Sequence, residues 1–374
     1  MYHVKDSLAL DLNLGGYEVE GEVVSFGKLL MTSSVLSRVP LIQLNLADTG
    51  GELKKRVSFE DGMTIKVNLG RSESSQVEYN FRLFNHRESA SAGHRHYMIT
   101  GYLDVPKYFI GSSFDHYKGP TSKVISDIAG KTGLTADVDT TADDQTWFQA
   151  NMKNCEFVQY LTKRGYISDK SLMMSAVTLR KKLLYKDFNA IEGDKYTFAY
   201  IPSSDKSEIA IFDHVARDKS GSSNASRGYK DNLYAQDLTV EEPVKHSDSN
   251  IKPRASKVAL NSDVQGAVGD RSRVDLTPPH YKGMAHDNYF KAKHQNTRGR
   301  FLNSVGIDIL TGYQLDDADL MLPVGVRLKG LSQAEETPEA SHDGSYIITG
   351  KNIIAQGPHY AERYNLIRAG KNNK

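Results

Sequence analysis

Asn154-Cys155-Glu156-Phe157-Val158-Gln159-Tyr160-Leu161-Thr162-Lys163-Arg164-Gly165-Tyr166-Ile167 is the stretch on which the reading of this chain turns. Phe157, Val158 and Leu161 recur at the spacing of one helix face. Asn154 is a residue type that caps helix N-termini, and Lys163 and Arg164 suit the negative end of the helix dipole. Gly165 fits the left-handed position that follows a helix. Tyr166 and Ile167 then open an extended run. A second short helix is expected upstream, capped by Thr121 or Ser122, carrying Val124, Ile125, Ile128 and Ala129, and closed by Gly130 or Gly133. Between the two lie an acidic polar loop, Asp137 to Asp144, and the only tryptophan, Trp147. Residues 119–168 thus read as a helical junction, because the chain on either side has the period of β-sheet.

From about residue 17 to 110, apolar residues alternate with polar ones. The runs are Ile42, Leu44, Leu46; Met63, Ile65, Val67, Leu69; Val77, Tyr79, Phe81, Leu83; and Tyr97, Ile99, Leu103, Val105. A period of two means strands with one buried face. Turn signals at Asp48-Thr49-Gly50-Gly51, Asp61-Gly62 and Ser89 to Gly93 separate them, a spacing that suggests a small antiparallel barrel or sandwich. Downstream, β-character returns at Tyr196, Phe198, Tyr200, Ile209 and Ile211, at Leu233 to Val240, and from Val305 to Arg368. Lys219 to Gly228 reads as a mobile loop, Lys245 to Pro279 as a long polar excursion, Asp287 to Asn303 as one helix, and Gln333 to Gly344 as a polar hairpin loop. The tail Lys371 to Lys374 is expected to fray. The expected division is a first β-domain over 1–118, the junction over 119–168, part of a second β-domain over 169–246, the excursion with a possible helix over 247–299, and the rest of the second β-domain with a C-terminal tail over 300–374.

Composition narrows the function classes. With 374 residues, 39% hydrophobic and 25% charged, the chain is globular and long enough for two or three domains. Lys+Arg of 47 against Asp+Glu of 46 leaves a net charge of +1. That balance supplies no electrostatic case for a strong nucleic-acid binder or an anionic membrane surface. One cysteine, Cys155, rules out an internal disulfide and a paired-cysteine zinc site. On the apolar side of its helix it reads as a small hydrophobe. Met1 to Gly16 lacks the pattern of a secretory leader, and no stretch approaches the roughly 18 apolar residues of a membrane span. The expectation is a protein made in the cytoplasm that stays soluble or joins an assembly.

Chemical signatures are sparse. No phosphate-binding glycine loop, dinucleotide fingerprint, His-Glu-x-x-His motif, nucleophile elbow or EF-hand loop is present. His94 and His96 share one side of a strand and would bind a metal only with help from elsewhere; a solvated hairpin tip is the plainer reading. His280, His286 and His294 match no zinc spacing. Asp316, Asp317 and Asp319 offer oxygens to calcium, or form an exposed turn. The Asp137 to Asp144 loop holds carboxylates of the kind glycosidases use, with nothing to specify a sugar cleft. No catalytic, cofactor-binding or metal-ligating residue is assigned.

Two segments together resemble the hub family of contractile phage tails and the N-terminal part of the VgrG spikes of type VI secretion. Phe157 to Ile167 is similar to the family's stretch in which an aromatic and Leu-bearing helix and a glycine precede a strand. Leu322-Pro323-Val324-Gly325-Val326-Arg327-Leu328 resembles its turn and strand, and Gly344-Ser345-Tyr346-Ile347-Ile348-Thr349-Gly350 with Tyr360 to Arg368 resembles its closing hairpin. The chain departs from VgrG in carrying no repetitive β-helix needle. The resemblance implies a mainly β fold with α+β insertions, in which two tube-like antiparallel β-barrel domains are joined by a short helical junction. It implies a structural, non-enzymatic virion protein without cofactor. Three chains would make six barrels, adapting the sixfold tail tube above to the threefold spike below. Partners would be two further copies, the tube and spike proteins and other baseplate proteins, with DNA only as passing cargo. Trp147, Phe157, Val158, Leu161, Gly165 and Tyr166 would be packing residues of the joint. Other readings of the same chain are a cell-wall or capsule hydrolase of a phage tail, a carbohydrate- or receptor-binding β-module, and a type VI spike collar.

Overall fold

The computed structural model describes residues 8–19, 24–91, 94–203, 205, 207–218, 232–235, 244–247, 273–275, 286, 288, 289, 291–293, 295, 296, 305–328 and 342–368. The loop Lys219 to Gly228, most of the excursion with His280 and His294, most of Gln333 to Gly344 and the tail Lys371 to Lys374 lie outside them.

The alternating runs of the N-terminal third form strands β1 (Ala9–Leu14), β2 (Tyr17–Glu18), β3 (Val24–Ser34), β4 (Leu41–Asp48), β5 (Thr64–Gly70), β6 (Val77–Ser91) and β7 (His94–Leu103). They pair antiparallel in the spatial order β3-β4-β7-β6-β5-β1-β2. Ile42, Leu44, Leu46, Ile65, Val67, Leu69, Phe81, Leu83, Tyr97 and Ile99 all point into one core, as their period requires. The Asp48 turn continues into a short helix, α1 (Glu52–Arg56), whose first amides, those of Glu52 and Leu53, donate to the Asp48 carboxylate at 2.9 and 3.1 Å. β1 lies ahead of the residue-17 start read from sequence; its inward Leu12 and Leu14 alternate with Asp11 and Asn13 over too short a run to stand out.

After these come α2 (Pro106–Phe109), β8 (Ser112–Gly119), α3 (Thr121–Thr132), β9 (Thr135–Val138), β10 (Gln145–Lys153), α4 (Asn154–Thr162), β11 (Met173–Val177) and β12 (Lys182–Asp187). The remaining strands are β13 (Tyr196–Ala199), β14 (Glu208–Ala210), β15 (Asp213–Asp218), β16 (Asn232–Ala235), β17 (Val244–Ser247), β18 (Arg273–Asp275), β19 (Val305–Thr311), β20 (Pro323–Arg327), β21 (Gly344–Gln356) and β22 (His359–Arg368). β16, β17 and β18 form a small separate sheet. Tyr289, Lys291–Lys293, Gln295 and Asn296 are helical, within the segment where one helix was expected. The architecture is mainly antiparallel β with α+β insertions, as expected. Among the described residues no helix is long and apolar enough to cross a membrane.

The long hairpin β21–β22 unites the sheet. One edge of β21 pairs twice: Gly344 to Ile347 with β20, and Gly350 to Ala355 with residues 34 to 29 of β3. Its other edge pairs with β22, which continues to β19 and β15. The N-terminal and C-terminal strands therefore belong to one hydrogen-bonded sheet of 14 strands. A bulge at Thr349 lets the same strand serve both partners. At Gly350 a Cβ would stand 2.5 Å from Asn365 Oδ1, so only glycine fits the close approach of the two strands there. Two cores result, one under the N-terminal strands and the junction and one under β13, β14 and β19 to β22.

Inside the hairpin, Lys351 and Glu362 form an ion pair at 3.4 Å, with side chains 8% and 1% exposed. Lys351 Nζ also donates to the carbonyls of Leu315 and Ala318 at 2.8 and 3.0 Å. Glu362 accepts from the Leu315 amide at 3.2 Å and from the hydroxyls of Tyr360 and Tyr364. Both tyrosines are pushed far above their ordinary ionisation range by burial and then by the Glu362 charge, so they stay donors. Removing one member of a buried, hydrogen-bonded pair strands the other charge, at a cost of about 3–5 kcal/mol. Lys351→Met is therefore expected to lower unfolding free energy by about that amount in urea titration, and Lys351→Met/Glu362→Gln to lose less than Lys351→Met alone.

Candidate functional site

The junction is a three-layer block. A two-stranded ribbon of β8 and β10 lies on one side, α3 and α4 in the middle, and the sheet β11-β12-β9 on the other. Two helices were expected in 119–168, and both form. β9 and β10 correct the reading of the segment between them as an acidic loop. β10 escaped notice because two of its three inward residues, Gln145, Trp147 and Gln149, are polar. Their burial is compensated: Gln149 Nε2 donates to the Met152 carbonyl and to Asn154 Oδ1, each at 2.8 Å, and Gln145 Oε1 accepts from the His286 amide at 2.9 Å.

The helix ends are satisfied from a distance. Asp143, buried, accepts from the Thr121 amide at 2.6 Å, the Thr121 hydroxyl at 2.9 Å, the Thr141 hydroxyl at 2.8 Å and the Tyr166 amide at 2.8 Å. The Ser122 amide donates to Thr141 Oγ1 at 3.1 Å. Thr121 and Ser122 are thus the first residues of α3 and are themselves capped, Pro120 standing at the N-cap. Gly133, in the left-handed region at φ 81°, closes α3. Asn154 does not cap α4. Lys153 precedes it, and the Asn154 side chain instead donates to the Lys107 carbonyl at 2.8 Å. The C-terminal carbonyls of α4 are met by Asn296, whose Nδ2 reaches the carbonyls of Thr162, Lys163 and Gly165 at 3.2, 3.3 and 2.9 Å, while its Oδ1 accepts from the Met173 amide at 2.8 Å.

Phe157, Val158 and Leu161 are fully buried on the inner side of α4. Phe157 stacks between Tyr117 and Tyr160, with centroids 5.9 Å away on each side. Trp147 meets Tyr160 edge-on at 6.5 Å and donates its Nε1 hydrogen to the Gly119 carbonyl at 3.1 Å. Arg164, read as a helix-end cation, is instead buried: its guanidinium lies 3.6 Å over the Tyr160 ring and its Nε donates to the Tyr289 hydroxyl. His286 and Tyr289 pack on Trp147 from the excursion, and the His286 ring contacts the Arg164 carbonyl at 3.0 Å. Tyr166 donates its hydroxyl to Asp169 at 2.5 Å, and Lys291 reaches the same carboxylate at 2.6 Å. These donors, Lys291 first, hold Asp169 below the usual carboxylate range. The excursion residues that clasp the junction had no sequence signal, because they act singly across more than a hundred residues.

The other candidates are not brought together. The Cys155 thiol is buried, donates to the Phe109 carbonyl at 3.4 Å and is pushed up by burial, so it is a poor nucleophile. His94 and His96 face solvent on β7. Asp316 meets Gln314 and Arg180, Asp317 meets Lys195, and Asp319 accepts from the Leu320 amide. Among the described residues no three His, Cys, Asp or Glu are grouped to hold a metal ion.

Gly165 has a different role from the one its position suggests. It is not left-handed; the turn ending α4 keeps Lys163 helical at φ −70°. A Cβ at Gly165 would fall 1.7 Å from the hydroxyl of Tyr185, which is buried without a hydrogen-bond partner. Gly165→Ala is therefore expected to destabilise by about 1–3 kcal/mol in thermal or chemical denaturation. Tyr185→Phe alone should be neutral or stabilising, and should rescue Gly165→Ala when combined with it.

Comparisons set this geometry beside known proteins. No family model matches the sequence, and no curated protein matches it. Among solved structures, the 43 kDa tail protein of prophage MuSo2 from Shewanella oneidensis superposes with a TM-score of 0.61 at 13% identity, over 97% of this chain and 99% of that one. The tail protein from Neisseria meningitidis MC58 does so with a TM-score of 0.61 at 10% identity, over the same shares. A Francisella PdpA-VgrG complex matches with a TM-score of 0.50 at 11% identity, over 97% of this chain and 53% of that one. The expected likeness to tail and spike proteins is thus found in the fold, which is that of these phage tail proteins over nearly its whole length.

Proposed function

We propose that this chain is a structural protein of a bacteriophage tail, a homotrimeric hub at the baseplate or tail tip. It joins the sixfold tail tube to the threefold central spike and lines the channel through which the genome leaves. The observation that carries this reading is the shared fold over 97% of the chain with two tail proteins, each covered to 99%. The fold shared with a VgrG-containing complex favours a place next to a spike, and makes a type VI spike collar the second reading. A net charge of +1 suits a lumen that DNA crosses without binding. In this reading residues 1–118 are one tube-like barrel and residues 169–246 with 300–374 the other. The junction then holds the two barrels at a fixed angle through Trp147, Phe157, Val158, Leu161, Gly165 and Tyr166. The protein works by geometry and carries out no reaction.

Light scattering on the purified chain is expected to give three times its 41.6 kDa mass, and electron microscopy a ring that stacks on tube protein. A stable monomer that never forms a ring with tube protein present overturns the proposal. Leu161→Asp puts a charge into the buried joint and is expected to abolish folding or trimer formation. Normal trimers of that variant would show that the joint lies elsewhere.

A further inference from the structure

The junction block has two outer faces. One is the outward side of the β8–β10 ribbon, where the register aligns Phe114, His116 and Lys118 with Ala150, Phe148 and Thr146. Phe114 is 85% and Phe148 52% exposed, while Tyr117 and Trp147 on the reverse side are buried. Those six outward side chains include no carboxylate. Among the described residues no third strand pairs with either edge of the ribbon. Open edges beside exposed aromatic rings are what a lone soluble chain avoids.

The second face is the side of β9 and β12 turned away from the helices. Leu183 and Tyr185 point into the helical core, whereas Leu184, level with Asp137 of β9, points the other way. With the turn before Leu322 it forms a cleft of about 460 Å³. Leu184, Ile191, Met321 and Leu322 supply its apolar lining, and six carboxylates face two lysines around it. Lys186 is already held by Asp137 and Asp139 at 2.6 and 3.1 Å, and Lys182 stands 3.8 Å from Asp137, so the surplus charge of the cleft is negative.

A ring of identical chains closes through two different, complementary patches on each chain. This chain carries such a couple on opposite sides of α3 and α4: an aromatic and cationic ribbon, and an apolar cleft with an acidic rim. Aromatic anchors seated in a pocket supply most of the energy of an interface, and opposed charge sets its orientation. We propose that the β8–β10 face of one copy seats in the acid-rimmed cleft of the next, with Phe114 and Phe148 on the apolar lining and Lys118 toward the carboxylates. The inference rests on the homotrimer reading and assigns its subunit contact.

The test uses the full-length chain and light scattering over a concentration series. A wild-type chain that stays monomeric overturns the homotrimer reading, and the inference with it. If the wild type is a trimer, Phe114→Asp/Phe148→Asp is expected to weaken it by about 100-fold or more, with the thermal melt of the isolated chain unchanged because both residues are exposed. A trimer that this variant leaves intact overturns the inference alone. So does a variant that keeps the trimer but loses tail-tube protein, since another partner would then cover the ribbon. Should the double variant fail to fold, Phe114→Cys/Glu192→Cys decides, since Cys155 is buried and offers no competing thiol. Oxidation is expected to give covalent dimers and trimers that neither single-cysteine variant gives. A trimer that yields no such cross-link overturns the contact.

Discussion

The pairing of one strand edge with two partners far apart in sequence is the constraint on which the rest of the structure depends. β21 must meet β20 with its first residues and β3 with its last, while β22 covers its other edge. A one-residue slip would turn Ile353 and Ala355 out of the core and bring Ile354 in. The bulge before Gly350 sets the phase between the two pairings, and the Lys351–Glu362 pair holds that phase, since each charge is satisfied only in this register. The apolar alternation says that a hairpin exists; the buried ions decide which hairpin.

The junction follows the same logic at a smaller scale. α3 and α4 are short, and helices of that length are marginal alone. They are held because Asp143 serves the start of α3 and the amide of Tyr166 together, and Asn296 serves the end of α4 and the start of β11 together. Each of these side chains ties two elements at once. A joint built this way transmits orientation, because bending it breaks several buried hydrogen bonds in one motion. Such stiffness is what a part that aligns its neighbours needs.

Much of this was legible in the sequence. Strands with an uninterrupted period of two, β4 to β7 and β19 to β22, were readable from their apolar residues, and so were both helices of the junction. β1, β9 and β10 were not, since polar residues sit on their inward faces or the runs are short. The caps failed for another reason. Thr121, Ser122 and Asn154 are sound capping types, yet the capping atoms come from Asp143, Thr141 and Asn296, and local propensity carries no information about partners that distant. Glu362 hid in plain view between Tyr360 and Tyr364, occupying an inward position where an apolar residue would be assumed. Gly165 was noticed for its backbone freedom, while its missing Cβ is what matters.

The late partner of β3 also bears on how the chain is made. Val24 to Ser34 leaves the ribosome long before Gly350 to Ala355 exist, and at 5–20 residues per second the interval is roughly 15–60 s. Throughout that time one edge of β3 presents unpaired amides and carbonyls to every neighbouring nascent chain on the same message. Several copies emerging side by side, each with the same open edge, make premature strand exchange the characteristic hazard of its synthesis. The speed at which the hairpin closes over β3 would then govern yield as much as the final stability does.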